Sequence, residues 1–459
     1  MAQTYDLTKG KVTPLILKFF FPMFFTNMLQ QIYIIADIAI VGKGLGDNAL
    51  AAVGNMSSLN LLVIGFSMGL ANGFSVSIAQ KFGAKDYSNL RSSIASSVVL
   101  SAFITIIITA LSTLFLPEFF TLIQTDQSIM KDSLKYGYII FGGLAATMAY
   151  NICSSILRAL GDSKTPFIAI IISTVINIIL DSVFIFVLNT GVEGAAAATI
   201  ISQILSAFVC LIRLRKIDVI KLEAQDFKNN SNMYKELLKN GLPMALMNSI
   251  TALGCMVVQY FVNGLGVAYT SAYSACSKYI NLFIQPSCTA GFAMSSFTSQ
   301  NYGAGKYRRI QKGLKVCLSI AFISYLIIGS VMCFFPEALA KIMLTGEEPI
   351  ALTMKYLPIC GIAFLLVNFL FIFRSAVQGL GKPIIPMISG IIEMLMRIAV
   401  IVLFIDRFGY KATAYADVVA WIGAVSLNFT AYIVIINKYL KGSSNHKIRS
   451  SHKIASSKN

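Results

Sequence analysis

Apolar runs of about 20 residues, long enough to cross a hydrocarbon core of about 30 Å, recur along the whole chain. They fall near 14–41, 49–79, 94–116, 134–157, 166–188, 193–213, 240–263, 267–297, 314–335, 351–376, 384–405 and 411–437. A water-facing surface cannot be made from such a sequence. Of 459 residues, 56% are hydrophobic and 12% charged, whereas soluble domains carry about 25% charged residues. The expected fold is an all-α membrane protein with twelve transmembrane helices. The first run has no small-residue cleavage site and is followed by eleven more, so it reads as a span and not as a removable signal.

A formal net charge of +17 could suggest nucleic acid, but its distribution excludes that reading. With both termini cytoplasmic, the inside segments hold 27 Lys and Arg, and the outside loops hold only Lys43, Lys131, Lys341, Arg407 and Lys411. That asymmetry is the positive-inside pattern, and it orients a multi-pass protein of the plasma (inner) membrane with both ends in the cytoplasm. Anionic head groups on the cytoplasmic leaflet favour the same arrangement. The eight cysteines all fall in or beside apolar runs, which argues against a disulfide framework. The two histidines, His446 and His452, lie in the polar C-terminal tail, so no His-based metal site is expected within the membrane.

The chain also resembles itself. QKFGAKDY at 80–87 matches QNYGAGKY at 300–307, LGDSKTP at 160–166 matches LGKPIIP at 380–386, and FPMFFTN at 21–27 matches LPMALMN at 242–248. All three pairs are offset by 220 or 221 residues. An even number of spans per copy gives both copies the same orientation, so the two six-helix lobes should be related by a pseudo-two-fold axis along the membrane normal. The expected organisation is an N-terminal six-helix lobe at 1–212, a cytoplasmic linker at 213–240, a C-terminal six-helix lobe at 241–440 and a disordered cytoplasmic tail at 441–459. Two lobes about a cleft suit alternating access. Gly65, Gly69 and Gly73 form a ladder of small residues, read here as a helix contact without further function. Pro22 and Pro243 fall in the first span of each lobe, where a missing backbone hydrogen bond favours a bend.

The stretch QQIYIIADIAIVGKGLG at 30–46 sets a carboxylate among aliphatic residues. An ionised acid in a membrane helix is costly unless paired, hydrated or protonated, so Asp37 should have a role. Asp181, in STVINIILDSVFIF, has the same problem. At 1.5 Å per residue the two lie about 6 and 10 Å below the outer ends of spans 1 and 5. Asn177 is one turn from Asp181 on the same face, and Thr199, near the outer start of span 6, is at a similar depth. Two carboxylates, an amide and a hydroxyl suit a hard cation such as Na⁺, and burial with mutual repulsion suits a proton equally well. If the acids were merely structural, the plausible basic partner would be Lys135. In the second lobe the positions equivalent to Asp37 and Asp181 are Val258 and Ile401, so the acids are confined to the first. Lys278, Glu393, Arg397 and Asp417 form a candidate polar cluster there, read chiefly as structural pairing, with substrate contact as the lesser reading. Methionines in spans 1, 2, 7 and 8 read mostly as packing.

Together, twelve spans in two parallel repeats, Pro22 and Asp37 in span 1, the two QxxGAxxY motifs, RALGDSKTP and NIILD resemble the multidrug and toxic compound extrusion (MATE) transporters. The resemblance covers the chain up to its C-terminal tail. Asp37, Asn177, Asp181 and Thr199 look like the cation site of the DinF-like prokaryotic branch, with Tyr136 as a tyrosine beside it. It implies export of amphipathic, often cationic compounds against inward H⁺ or Na⁺, with helix 1 bending at Pro22 when the Asp37 region is protonated. It implies no cofactor beyond the coupling ion. The expected partners are small amphipathic substrates and membrane lipids, with the chain acting as a monomer. Span 7 lacks the glutamate that another branch carries for a second-lobe site. A lipid-linked precursor or polysaccharide flippase shares the two-lobe plan, but would be expected to line its cleft with cations. An intramembrane enzyme would need a nucleophile and base, or metal ligands, that the spans do not supply.

Overall fold

The computed structural model describes residues 6–456, apart from 124 and 229. Contacts divide the chain into two compact units, one built from Leu17–Ala252 and the other from Leu7–Ile16 with the chain from Leu253 onward. The first contains α1 (Val12–Leu45, from Leu17), α2 (Asp47–Asn55), α3 (Ser57–Ala84), α4 (Tyr87–Leu114), α5 (Leu116–Leu122), α6 (Gln127–Gly142), α7 (Leu144–Ala159), α8 (Lys164–Ser182), α9 (Gly191–Arg215) and the start of α10 (Ser231–Asn263). The second contains the rest of α10, then α11 (Val267–Phe283), α12 (Gln285–Gly303), α13 (Tyr307–Phe334), α14 (Pro336–Met343), α15 (Glu347–Gly379), α16 (Ile384–Phe408) and α17 (Lys411–Ser456). No strand occurs among the described residues.

Ten of these helices are long and apolar enough to span a membrane, and α6 with α7, bent by 43°, makes an eleventh. The run at 267–297 forms the broken pair α11 and α12, with a proline in the first turn of α12. It completes the series by its place in the repeat. Exposed Ile, Leu, Val and Phe side chains cover these helices, which is the surface that a lipid solvent requires.

The glycine ladder of α3 is a helix contact. A Cβ on Gly69 would lie 2.5 Å from the Ala245 Cα, and one on Gly73 would lie 2.4 Å from the Gly241 Cα. Polar side chains fasten the same seam: Asn240 Nδ2 donates to Ser77 Oγ at 2.7 Å, and Asn248 Nδ2 donates to the Gly65 carbonyl at 2.9 Å. Small residues with interhelical hydrogen bonds are how membrane helices associate when no hydrophobic force separates them from lipid. Pro22 and Pro243 lie inside helices that run on through them.

Two of the three repeated motif pairs are helix terminators. Gly161 (φ +86°) and Gly381 (φ +72°) end α7 and α15, with Asp162 N donating to the Leu157 carbonyl at 2.8 Å and Lys382 N to the Val377 carbonyl at 3.3 Å. At the ends of α3 and α12 the left-handed residues are Lys85 (φ +60°) and Gly305 (φ +68°). All four carry the 6→1 bond of a Schellman-type stop. The second motif also clasps the N-terminal segment. Leu7 N donates to Gln300 Oε1 at 2.9 Å, Lys306 Nζ to the Thr8 carbonyl at 2.8 Å and Arg309 Nη1 to the Gly10 carbonyl at 2.7 Å.

The linker and the tail carry helical structure of their own. The linker read at 213–240 is partly helical: it contains two 3₁₀ turns, Asp218–Ile220 and Ala224–Phe227, and then the first turns of α10. Arg91 and Lys81 pair with its Asp226 and Glu236 at 3.5 and 2.5 Å. The tail read as disordered continues α17 as helical backbone to Ser456. Extending an existing helix adds one bond per residue without a new nucleation cost.

Candidate functional site

In α1, Tyr33, Asp37 and Val41 are spaced four residues apart and therefore share a face. Val41 is fully buried in the first unit, whereas Ile34, Ile35 and Ile38 on the other faces are exposed. Asp37 is thus turned toward the unit and away from the aliphatic surface. In α8, Asn177 and Asp181 are both wholly buried.

The structure brings these groups together. The Asp37 and Asp181 carboxyls interact with each other, and Asn177 stands beside Asp181. Tyr33 interacts with both acids and donates its hydroxyl to Thr199 Oγ1 of α9 at 3.2 Å. Tyr136 of α6 is buried within electrostatic reach of Asp37, Asp181 and Tyr33. Thr199 thus accepts from a tyrosine that lies within electrostatic reach of both acids. Both Asp181 oxygens, both Asn177 amide atoms and Asp37 Oδ1 have no hydrogen-bond partner of good geometry among the described residues. The buried oxygens among these call for a proton or a cation. The donor set is all oxygen apart from one amide nitrogen, which suits H⁺ or a hard cation such as Na⁺.

Lys135, the one basic residue placed to neutralise the acids, is engaged elsewhere. Its Nζ lies 2.6 Å from Glu193 Oε1, with both side chains nearly half exposed. Neither acid is in an ion pair among the described residues. Immediately after Asp181, α8 passes into a π-helical turn, Val183–Val187, in which Leu188 N donates to the Val183 carbonyl at 2.9 Å. π-turns are frequent at functional sites. Sequence reasoning missed both this turn and Tyr33, although the i, i+4 spacing of Tyr33 and Asp37 was available as a signal.

The second unit holds a different assembly. Arg374 pairs with Glu393, and Arg397 lies 3.9 Å from Glu393 Oε2. Arg397 Nε also donates to Asp417 Oδ1 at 2.9 Å, and Tyr356 donates its hydroxyl to Asp417 Oδ2 at 2.5 Å. Two cations alternate with two anions, all less than 10% exposed, so the charges compensate one another. Arg374 was not foreseen, because α15 had to be brought against α16. Lys278 does not belong to this chain of charges. It is exposed on α11 and is in no ion pair among the described residues. Helical spacing carries its side chain away from the buried face of Ala275, Cys276 and Tyr279.

Comparison with known proteins supplies the lineage. The family model MatE matches twice, over residues 22–183 and 243–403, at the offset of the internal repeat. The probable multidrug resistance protein YoeA of Bacillus subtilis (strain 168) is 27% identical over 381 residues, covering 81% of this chain and 82% of that protein. The probable multidrug resistance protein NorM of Thermotoga maritima is 26% identical over 422 residues, covering 90% of this chain and 88% of that protein. A solved multidrug resistance MATE family transporter in an outward-facing conformation shares the fold with a TM-score of 0.89 at 21% identity, over 96% of this chain and 99% of that one. The chain belongs to the MatE family and is a membrane transporter, not an enzyme.

Proposed function

We propose that the protein is an antiporter that exports amphipathic, often cationic compounds in exchange for H⁺ or Na⁺ entering at Asp37 and Asp181. The observation that carries this reading is an acid pair with no basic partner, given that Lys135 is held by Glu193. Two adjacent carboxylates in a low-dielectric setting repel strongly, and one shared proton or cation relieves that repulsion. Asn177 and the Tyr33–Thr199 bridge hold the acids in place, and Tyr136 closes the site. A bound ion shifts a conformational balance only through unequal affinity for its two states. Export therefore requires the outward- and inward-facing states to hold the ion differently. Alternating access, a plasma-membrane location, both termini in the cytoplasm and action as a monomer complete the proposal. The named multidrug relatives and the positive-inside charge pattern support it. Asp37→Asn and Asp181→Asn should each abolish drug resistance in a hypersensitive host at normal membrane expression. Full resistance in both variants would refute the assignment.

Lys278 favours a second reading, in which substrates that carry an anionic group are also exported, as a lipid-linked flippase would require. Lys278→Gln would then impair export of anionic compounds and spare that of cationic ones. Equal effects on both classes would dismiss it.

A further inference from the structure

Outer-side cations are scarce in this chain, yet three basic residues at the outer end of the second unit converge on one cavity. Lys355 on the third turn of α15, Arg407 in the last turn of α16 and Lys411 at the start of α17 line a space of about 340 Å³, with Leu352, Tyr269, Phe408 and Tyr410 completing its wall. The three cations are exposed, and none is in an ion pair among the described residues. Two other basic residues at this level are neutralised: Lys341 lies 2.6 Å from Glu337 and Lys135 lies 2.6 Å from Glu193. The nearby carboxylates Asp406, Glu347 and Glu348 do not line the cavity. The Arg407 guanidinium carbon stands 5.7 Å from the Phe408 ring centroid.

Three like charges around one hollow repel unless an anion lies among them. Guanidinium and ammonium groups together are the usual recognition set for phosphate, and the volume is that of a small-molecule site. Val402, Leu403 and Phe404, just before Arg407 on α16, are exposed apolar residues. A charged head could therefore sit in the cavity while an acyl chain follows α16. We propose that this cavity binds a phosphate-bearing anion at the outer membrane interface. The outer placement rests on the proposed topology. The cavity and its charges do not, and nor do they depend on the coupling role of the acid pair.

A phospholipid head group and free phosphate share this chemistry, and one experiment separates them. The full-length protein in detergent is titrated with phosphatidylglycerol, with inorganic phosphate and with diacylglycerol as a lipid lacking phosphate, and its thermal midpoint is followed. The variants are Lys355→Gln/Arg407→Gln/Lys411→Gln and, as a charge-preserving control, Lys355→Arg/Lys411→Arg. Stabilisation by phosphatidylglycerol alone identifies a lipid, and stabilisation by phosphate as well identifies a soluble anion. In either case the half-saturating concentration should rise about tenfold for each cation removed and stay near wild type in the control. If the triple variant does not fold, Lys411→Gln alone is titrated against the same expectation. The proposal is overturned if neither phosphate compound stabilises the wild type, if diacylglycerol matches them, or if the neutralised variant titrates as the wild type does.

Discussion

Two buried acidic systems in one chain should respond in opposite ways to loss of a carboxylate. Asp417 is 8% exposed and accepts from Arg397 Nε at 2.9 Å and from the Tyr356 hydroxyl at 2.5 Å. Asp417→Ala leaves the Tyr356 donor without its acceptor. It also leaves Arg397, itself 5% exposed, with the Cys255 Sγ at 3.8 Å and, as its remaining carboxylate, Glu393 at 3.9 Å, an acid already engaged by Arg374. Breaking a buried ion pair from one side costs about 3–5 kcal/mol. For a unit of this size that lowers the thermal midpoint by roughly 6–20 °C. Asp417→Asn keeps an acceptor oxygen and should lose about half as much. Asp181→Asn does the reverse: it removes one of two adjacent carboxylates that no basic side chain neutralises, Lys135 being held by Glu193, so the midpoint should hold or rise while export fails. The assay is thermal unfolding of purified variants in one detergent at one pH, read by loss of the monodisperse peak. An Asp417→Ala midpoint within 2 °C of wild type, or an Asp181→Asn midpoint lowered as far as that of Asp417→Ala, would refute the division into a structural chain and a functional pair.

Three further outcomes follow from packing and backbone geometry. Gly73→Leu forces a side chain into the Gly241 backbone and should abolish assembly of the first unit, seen as loss of the monodisperse peak, while Gly65→Ala, with Asn248 Cβ at 3.8 Å, should be tolerated. Lys85→Gly removes a left-handed strain that the second copy avoids with Gly305, and should stabilise by about 1 kcal/mol, measured as a higher midpoint; a lower one would contradict the strain. Tyr33→Phe deletes the 3.2 Å bond to Thr199 and should slow ion-coupled export severalfold without lowering expression, a result checked by vesicle transport.

The acids were legible because a charge inside an apolar run is conspicuous, and their depths were legible because helices rise uniformly. Asp37, Asn177, Asp181 and Thr199 could thus be placed at one level, whereas Tyr136 entered only through the family resemblance; in the structure Tyr136 is buried within electrostatic reach of both acids, and Thr199 accepts from Tyr33. Tyr33 escaped because a tyrosine in a membrane helix looks like packing until its hydroxyl is seen on Thr199. The π-turn after Asp181 leaves no local signature, since VFIFV would continue an ordinary helix equally well. Arg374 and Lys278 show the limit of depth arguments: azimuth, not depth, decides that Arg374 meets Glu393 and that Lys278 points away. The duplicated motifs were legible as repeats, but the shared task of two of the pairs, stopping helices with a left-handed residue, appears only in the backbone angles.

The most direct test of the acid pair is ethidium efflux from proteoliposomes under separately imposed proton and sodium gradients, comparing wild type with Asp37→Asn and Asp181→Asn. Efflux driven by at least one gradient in the wild type and by neither in the two variants is the predicted result. Gradient-driven efflux at the wild-type rate in either variant would contradict it.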